Sequence, residues 1–385
     1  MSKTTDRMTI VGFAAVIFLL SLLFLVRPKL SFSETENRVL QQTPQLTWEN
    51  LWSKRFMEQT ELYLSDHFPF REKWVQGKSA LEQLRLQQEN NGIFKGSDGY
   101  LFERFEKPDF SLLQQYTDAI KEFALRHPET RMTFMLAPTS IGLYPDRLPW
   151  LAPSFPQEAV NAYIGYQLGD SVTYLNGFDF LRKAARGRTP IYYRTDHHWT
   201  TYGAYLAYAA YAKQMGWPVQ SPADFYIETV TDNFLGSYHT RSQLAGIQAD
   251  SIQRYVSKQP ADFSLYITDT DQTVTGLYDN HYLTTKDKYA YFLGGVHALL
   301  TIKNKIPTDE DAAPQKLLVI KDSYAHSVLP FLALHVPEIH VIDLRYYNGD
   351  IHDYMERNEI QDVLMLFNTA TFVNNRELLR LKGPW

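Results

Sequence analysis

Two short segments of this 385-residue chain carry side chains that could do chemistry together. The first is Lys321-Asp322-Ser323-Tyr324-Ala325-His326-Ser327, which follows the almost wholly apolar run from Lys316 to Ile320. A serine on the sharp turn between a buried strand and a helix presents its hydroxyl at the mouth of the sheet. The helix N-terminus behind it offers N–H groups to a developing oxyanion. That is what a nucleophilic serine needs, met by Asp-Ser-Tyr in place of Gly-x-Ser-x-Gly. The same turn also admits a purely structural role, with Asp322 or Ser323 capping the helix.

The second segment is Arg194-Thr195-Asp196-His197-His198-Trp199-Thr200. Asp196 and His198 are two residues apart, so in an extended stretch both side chains point the same way. A carboxylate beside an imidazole sets its tautomer and stabilises the imidazolium, as a general base requires. His197 then faces the other side, where packing or capping is its ordinary role. Asp196 with the two histidines also suits zinc or manganese. Yet the chain has no H-x-x-x-H, and His239, His297, His326, His335, His340 and His352 show no paired ligand spacing. Phosphoesterases built on Asp-His-His need further Asp-rich motifs, which are missing. No metal or other cofactor is expected. His326, three residues after Ser323, is a second candidate base, but it lacks a following acid to orient it.

These side chains need elements to hold them. Lys316 to Ile320, Ile339 to Leu344 and Val363 to Phe367 read as buried strands, alternating with helical stretches at Val328 to Leu334 and Ile351 to Arg357. Strand–helix–strand–helix–strand with short links predicts an α/β fold with a parallel sheet. Active sites of such sheets gather beyond the C-terminal strand ends, which is where Ser323 falls. Asp196 to His198 precede a predicted helix from Tyr202 to Met215, with Thr200 or Thr201 as N-cap and Gly216 as stop. Its Tyr202, Tyr205, Tyr208 and Tyr211 read as a packing stripe. Asn91 to Phe102 has a hairpin pattern, Phe110 to Arg126 reads as a helix, and Met132 to Ala137 as a strand stopped by Pro138.

Composition narrows the class. With 38 Lys+Arg against 43 Asp+Glu there is no positive excess to neutralise phosphates, so nucleic acid is not an expected partner. No cysteine is present, which excludes disulfides, thiolate nucleophiles and Cys-ligated metals. Thr9 to Val26 is one uncharged apolar run between Arg7 and Arg27. At 1.5 Å per residue it spans roughly 27 Å, close to the thickness of a bilayer core. No small-residue cleavage site ends it, which favours an uncleaved single-pass anchor over a signal peptide. The expected organisation is a cytoplasmic head and anchor (1–29), a helical juxtamembrane region (30–90) broken at Phe68-Pro69-Phe70, and an extracytoplasmic domain (91–385).

In combination the motifs resemble the DHHW family. They are Asp196-His197-His198-Trp199, Ser33-Glu34-Thr35-Glu36-Asn37-Arg38, Asp66-His67-Phe68-Pro69-Phe70-Arg71, the glycine-rich stretch from Asn91 to Phe102, Lys321-Asp322-Ser323-Tyr324 and Ile342-Asp343-Leu344-Arg345-Tyr346-Tyr347. That family is similar to the SGNH-hydrolase-like proteins that O-acetylate alginate. The resemblance implies an SGNH-hydrolase-like parallel sheet flanked by helices, preceded here by the transmembrane helix. It makes Asp196 the orienting acid, His198 the base and Ser323 the nucleophile of an O-acetyltransferase acting on a cell-envelope polysaccharide. The alternatives are an acetylesterase or a non-catalytic glycan-binding scaffold. Backbone N–H groups at Ser323 and Tyr324, then Asn368, are the expected oxyanion donors. Lys321 stands where a small residue is common, which bears on that hole. Trp199, Arg345 and Tyr346 are expected to touch substrate. A membrane-bound O-acyltransferase is the implied partner.

Overall fold

The structure, a computed structural model, describes residues 3–33, 38–85, 87–305 and 316–383. The Glu34-Thr35-Glu36-Asn37 part of the N-terminal motif lies outside the described residues. The chain divides into two compact units, one of Met1–Asn90 with Thr240–Gly246, the other of Asn91–His239 with Ile247–Trp385.

In the first unit, helix α1 (Lys3–Val26) contains 22 residues, Thr5–Val26, long and apolar enough to cross a membrane. Helices α2 (Trp48–Trp52), α3 (Arg55–Asp66) and α4 (Arg71–Leu84) follow, and the break between α3 and α4 falls at Pro69 as its missing N–H requires. The Asp66-His67 pair joins α3 to the preceding loop: Asp66 accepts from the Gln41 N–H at 2.8 Å and His67 Nε2 meets the Gln41 carbonyl at 3.0 Å.

The second unit opens with the predicted hairpin, β1 (Ile93–Lys95) antiparallel to β2 (Leu101–Glu103). Helix α5 (Phe110–Arg126) is capped by Asp109, whose carboxylate accepts from the Ser111 and Leu112 N–H groups. Strand β3 (Arg131–Ala137) stops at Pro138. Then come α6 (Gln157–Leu168), β4 (Thr173–Asn176), α7 (Gly177–Ala185) and α8 (Thr201–Met215). Thr200 caps α8 and Gly216, in the left-handed region, ends it. Tyr205, Tyr208 and Tyr211 are buried, so the tyrosine stripe is packing.

The remaining strands are β5 (Phe225–Phe234), β6 (Asp250–Ser257), β7 (Phe263–Ile267), β8 (Gln272–Thr275), β9 (Leu299–Asn304), β10 (Lys316–Lys321), β11 (Glu338–Ile342) and β12 (Asp362–Asn368). Helix α9 (Ile351–Asn358) joins the last two. Eight strands make the main sheet, in order β8-β7-β9-β11-β10-β12-β3-β4. The five from β11 to β4 are mutually parallel, as the strand–helix alternation predicts. Three antiparallel strands, β9, β7 and β8, extend one edge. That extension was not anticipated, because β7 and β8 are short and mostly polar outward, as edge strands are. Strand β10 lies between two parallel neighbours, and its Leu317 to Ile320 are wholly buried. The helix predicted over Val328 to Leu334 is a four-residue α-helix, Leu329–Leu332, and a tighter 3₁₀ turn, Ser323–Ser327, precedes it.

Candidate active site

Ser323 begins the helical turn directly beyond the C-terminal end of β10. Asp322 is the N-cap of that turn and accepts from the Tyr324 N–H at 2.9 Å. Its other oxygen accepts from the Asn368 N–H and side-chain amide, each at 2.8 Å, from the end of neighbouring β12. Asp322 thus holds two strand ends in register behind the serine. Burial raises its carboxyl to about 6, against the pull of the two backbone N–H groups.

The Asp196–His198 segment is a closed loop and not an extended run. Tyr192 and Trp199 pair across it, and the Thr200 N–H donates to the Ile191 carbonyl at 3.0 Å. Asp196 and His198 share a side because Asp196 Oδ1 accepts from both the His198 N–H, at 2.9 Å, and the ring Nδ1, at 2.5 Å. The carboxylate makes a local Asx turn that orients the ring. The far ring nitrogen, Nε2, lies 2.7 Å from Ser323 Oγ. Serine, imidazole and carboxylate therefore form one hydrogen-bonded chain across 125 residues of sequence.

Residues remote in sequence build the walls. Asp250, at the start of β6, accepts from the N–H groups of Arg194 and Thr195 and from the Thr195 hydroxyl. The Ser237 N–H donates to Asp196 Oδ2 at 2.7 Å. Burial by itself would raise the Asp196 carboxyl, but the two histidines, the His198 bond and the Ser237 N–H outweigh it and hold it well below the usual carboxylate range. Tyr289 lies flat on the His198 ring, centroids 3.5 Å apart, with its hydroxyl 3.0 Å from Ser327 Oγ. No spacing or motif ties Gly236, Ser237, Asp250 or Tyr289 to the Asp-His-His segment, so sequence reasoning missed them all.

Several of the expected site residues have other partners in the structure. Trp199 is fully buried, and its indole N–H reaches the Tyr324 carbonyl and Ser327 Oγ, both at 3.0 Å. It braces the serine turn from within and has no exposed surface. The Tyr324 N–H and the Asn368 amide are committed to Asp322 and, for Asn368, also to Thr371 Oγ1. The Ser323 N–H has no acceptor among the described residues and is the backbone donor left for an oxyanion. Arg345 is a fork on Asp343, with Nε to Oδ1 at 2.9 Å and Nη2 to Oδ2 at 2.7 Å. Tyr346 is half exposed beside it. Lys321 turns away from Ser323 into this buried cluster, pairing with Asp343 at 3.1 Å and with His326 Nε2 at 2.7 Å. His326 is thereby occupied, and burial beside Lys321 keeps its ring neutral.

His197 places Nδ1 2.7 Å from Ser237 Oγ. It lines a groove of about 460 Å³ with Thr139, Asn368, Glu103, Lys107 and Asn374. Asp196, His197 and His198 could together hold a metal ion. A metal would compete with the Asp196 and Ser323 bonds that occupy both nitrogens of His198.

The DHHW protein family model matches residues 135–342, more than half of the chain. No curated protein shows significant sequence similarity to it. Among solved structures it is similar to a DHHW family protein from Eubacterium siraeum, at 24% identity and TM-score 0.66, over 76% of this chain and 96% of that one. It is also similar to Bacillus cereus PatB1 with a sulfonyl adduct, at 17% identity and TM-score 0.62, over 74% of this chain and 98% of that one. The matched region contains the Asp196–His198 loop, β10 and Ser323, set in an α/β fold shared with these solved structures, and the chain is a member of the DHHW protein family.

Proposed function

We propose that this protein is a membrane-anchored acyltransferase that moves an acyl group, acetyl in the simplest case, onto a hydroxyl of a cell-envelope glycan. The observation that carries the proposal is the continuous bond chain from Ser323 Oγ through His198 to Asp196. In the first half-reaction Ser323 Oγ attacks the acyl carbonyl while His198 Nε2 takes its proton. The tetrahedral oxyanion forms beside the Ser323 N–H, then collapses, and the leaving group departs with the proton from His198. In the second half the glycan hydroxyl gives its proton to His198 and attacks the acyl-serine, and the proton returns to Ser323. Asp196 stabilises the imidazolium both times. The groove beside His197 offers room for a sugar acceptor, which favours transfer over hydrolysis. Helix α1 would hold the domain at the outer membrane face, where a membrane-bound O-acyltransferase supplies acyl groups.

The test is capture of the intermediate. Full-length protein in detergent is mixed with p-nitrophenyl acetate, and peptides are read by mass spectrometry. Acetyl on Ser323, absent after His198→Ala, is expected, with faster turnover when an oligosaccharide acceptor is added. PatB1 has been seen with a sulfonyl adduct, and here a sulfonyl fluoride should mark Ser323. Neither label at Ser323 would overturn the catalytic reading in favour of a scaffold. Acetyl passing only to water would make the protein an esterase.

A further inference from the structure

A second cavity of about 460 Å³ has a lining that does not include Ser323, His198 or Asp196. Five segments of the same unit form it: the β1–β2 turn with Asp98 and Tyr100, the turn with Tyr144 and Arg147, the stretch from Ala185 to Pro190 with Arg188, Arg194, and Gln248. Three arginines and one aspartate line it, in a chain whose net charge is −5, and the buried Asp250 carboxylate interacts with Arg194 from outside the lining. Asp98 is mostly exposed and reaches Arg147 only at 3.6 Å.

Two of the arginines are held by tyrosine rings, with donors to spare. Arg147 lies 4.6 Å from the ring centroids of both Tyr100 and Tyr144, and Arg194 lies 5.5 Å from that of Tyr100. Stacking on tyrosine faces fixes a guanidinium plane and leaves its edge of N–H donors free. The Arg194 Nε is buried with no hydrogen-bond partner among the described residues. A buried donor left unpaired is costly, and a bound acceptor would recover that cost. Gly99 has a positive φ of 75° and lies over the Arg194 side chain, so the hairpin turn forms the wall on that side. Arg188 is exposed at the rim with no ion-pair partner among the described residues.

From this arrangement we infer that the Arg147–Arg188–Arg194 pocket binds an oxyanion, a phosphate or a carboxylate. Forked guanidinium donors match the paired oxygens of both groups, and the cavity has space for one sugar-sized unit carrying either. The site needs neither Ser323 nor an acyl donor, so it stands or falls apart from the proposed reaction.

Calorimetric titration of the full-length protein in a zwitterionic detergent tests it, first with inorganic phosphate and then with glucuronate, with glucose as the neutral control. Saturable binding of at least one anion is expected, weakening as sodium chloride is added. Affinity should fall about tenfold in Arg194→Gln and in Arg188→Gln. Arg188 is exposed, so its variant keeps the test valid if Arg194→Gln fails to fold. Phosphate binding without glucuronate binding assigns a phosphate group, and the reverse assigns a carboxylate. No saturable binding of either anion overturns the inference, as does equal affinity in the wild type and a folded variant.

Discussion

Gly236 lies against the Asp196 carboxylate so closely that a methyl group on its α-carbon would overlap the Cβ, Cγ and Oδ2 atoms of Asp196. The Gly236 N–H donates to Thr195 Oγ1 at 3.0 Å, and the next N–H, that of Ser237, donates to Asp196 itself. The glycine is required by proximity, since its backbone is not in the left-handed region. It lets one chain segment press two donors onto the loop that holds the carboxylate.

Gly236→Ala should therefore displace Asp196 while leaving Ser323, His198 and Asp196 themselves unsubstituted. Overpacking here should lower stability by about 1–3 kcal/mol. A shift of the orienting acid should lower acetyl-ester turnover on the order of a hundredfold. Thermal unfolding and steady-state kinetics on the same preparation check both effects. Wild-type turnover in a folded Gly236→Ala protein would show that Asp196 placement is not critical.

The two adjacent histidines should separate cleanly. His198→Ala and Ser323→Ala should each lower turnover of a small acetyl ester by about three orders of magnitude or more. His197→Ala should keep most of it, because the His197 ring bonds Ser237 Oγ and not the serine. Chelator should leave the wild type unchanged. A dead His197→Ala with an active His198→Ala would reverse the assignment of the base, and inhibition by chelator would point to a metal on the Asp196–His197–His198 group.

Trp199→Phe removes an indole N–H that serves the Tyr324 carbonyl and Ser327 Oγ. Leaving those buried acceptors short should destabilise by about 1–3 kcal/mol. Because Trp199 is buried behind the serine turn, kcat should fall while KM stays as it is. A rise in KM alone would return Trp199 to the substrate site.

Asp322 predicts a pH effect on stability. Its carboxyl titrates near 6 in the folded chain and near 3.9 in the unfolded one. The folded state therefore holds the proton more tightly, and Asp322 favours folding most below about pH 4. That contribution is lost as pH rises from about 4 to 6, and is flat above. The stability of wild type relative to Asp322→Asn should fall by about 2–3 kcal/mol across this window. Urea unfolding of both proteins at the two pH values measures it, and a constant difference would contradict the raised carboxyl.

The sequence by itself determined the local elements and the short-range chemistry. The apolar runs at β10, β11 and β12, the capped helix after Thr200 and the break at Pro69 are legible because they rest on hydrophobic period, capping and the missing proline N–H. The nearness of Asp196 to His198 was legible too, although an Asx turn and not strand alternation produces it. Spacing and the family resemblance pointed to His198, but only the tertiary structure brought its ring to Ser323, across 125 residues of sequence. It alone brought Gly236, Ser237, Asp250 and Tyr289 to the site, directed Tyr324 and Asn368 to Asp322, and buried Trp199. A side chain's type states what it can donate or accept, and its neighbours after folding decide where that capacity is used. Oxyanion donors and substrate contacts depend wholly on the second, so they were the least legible part of the site.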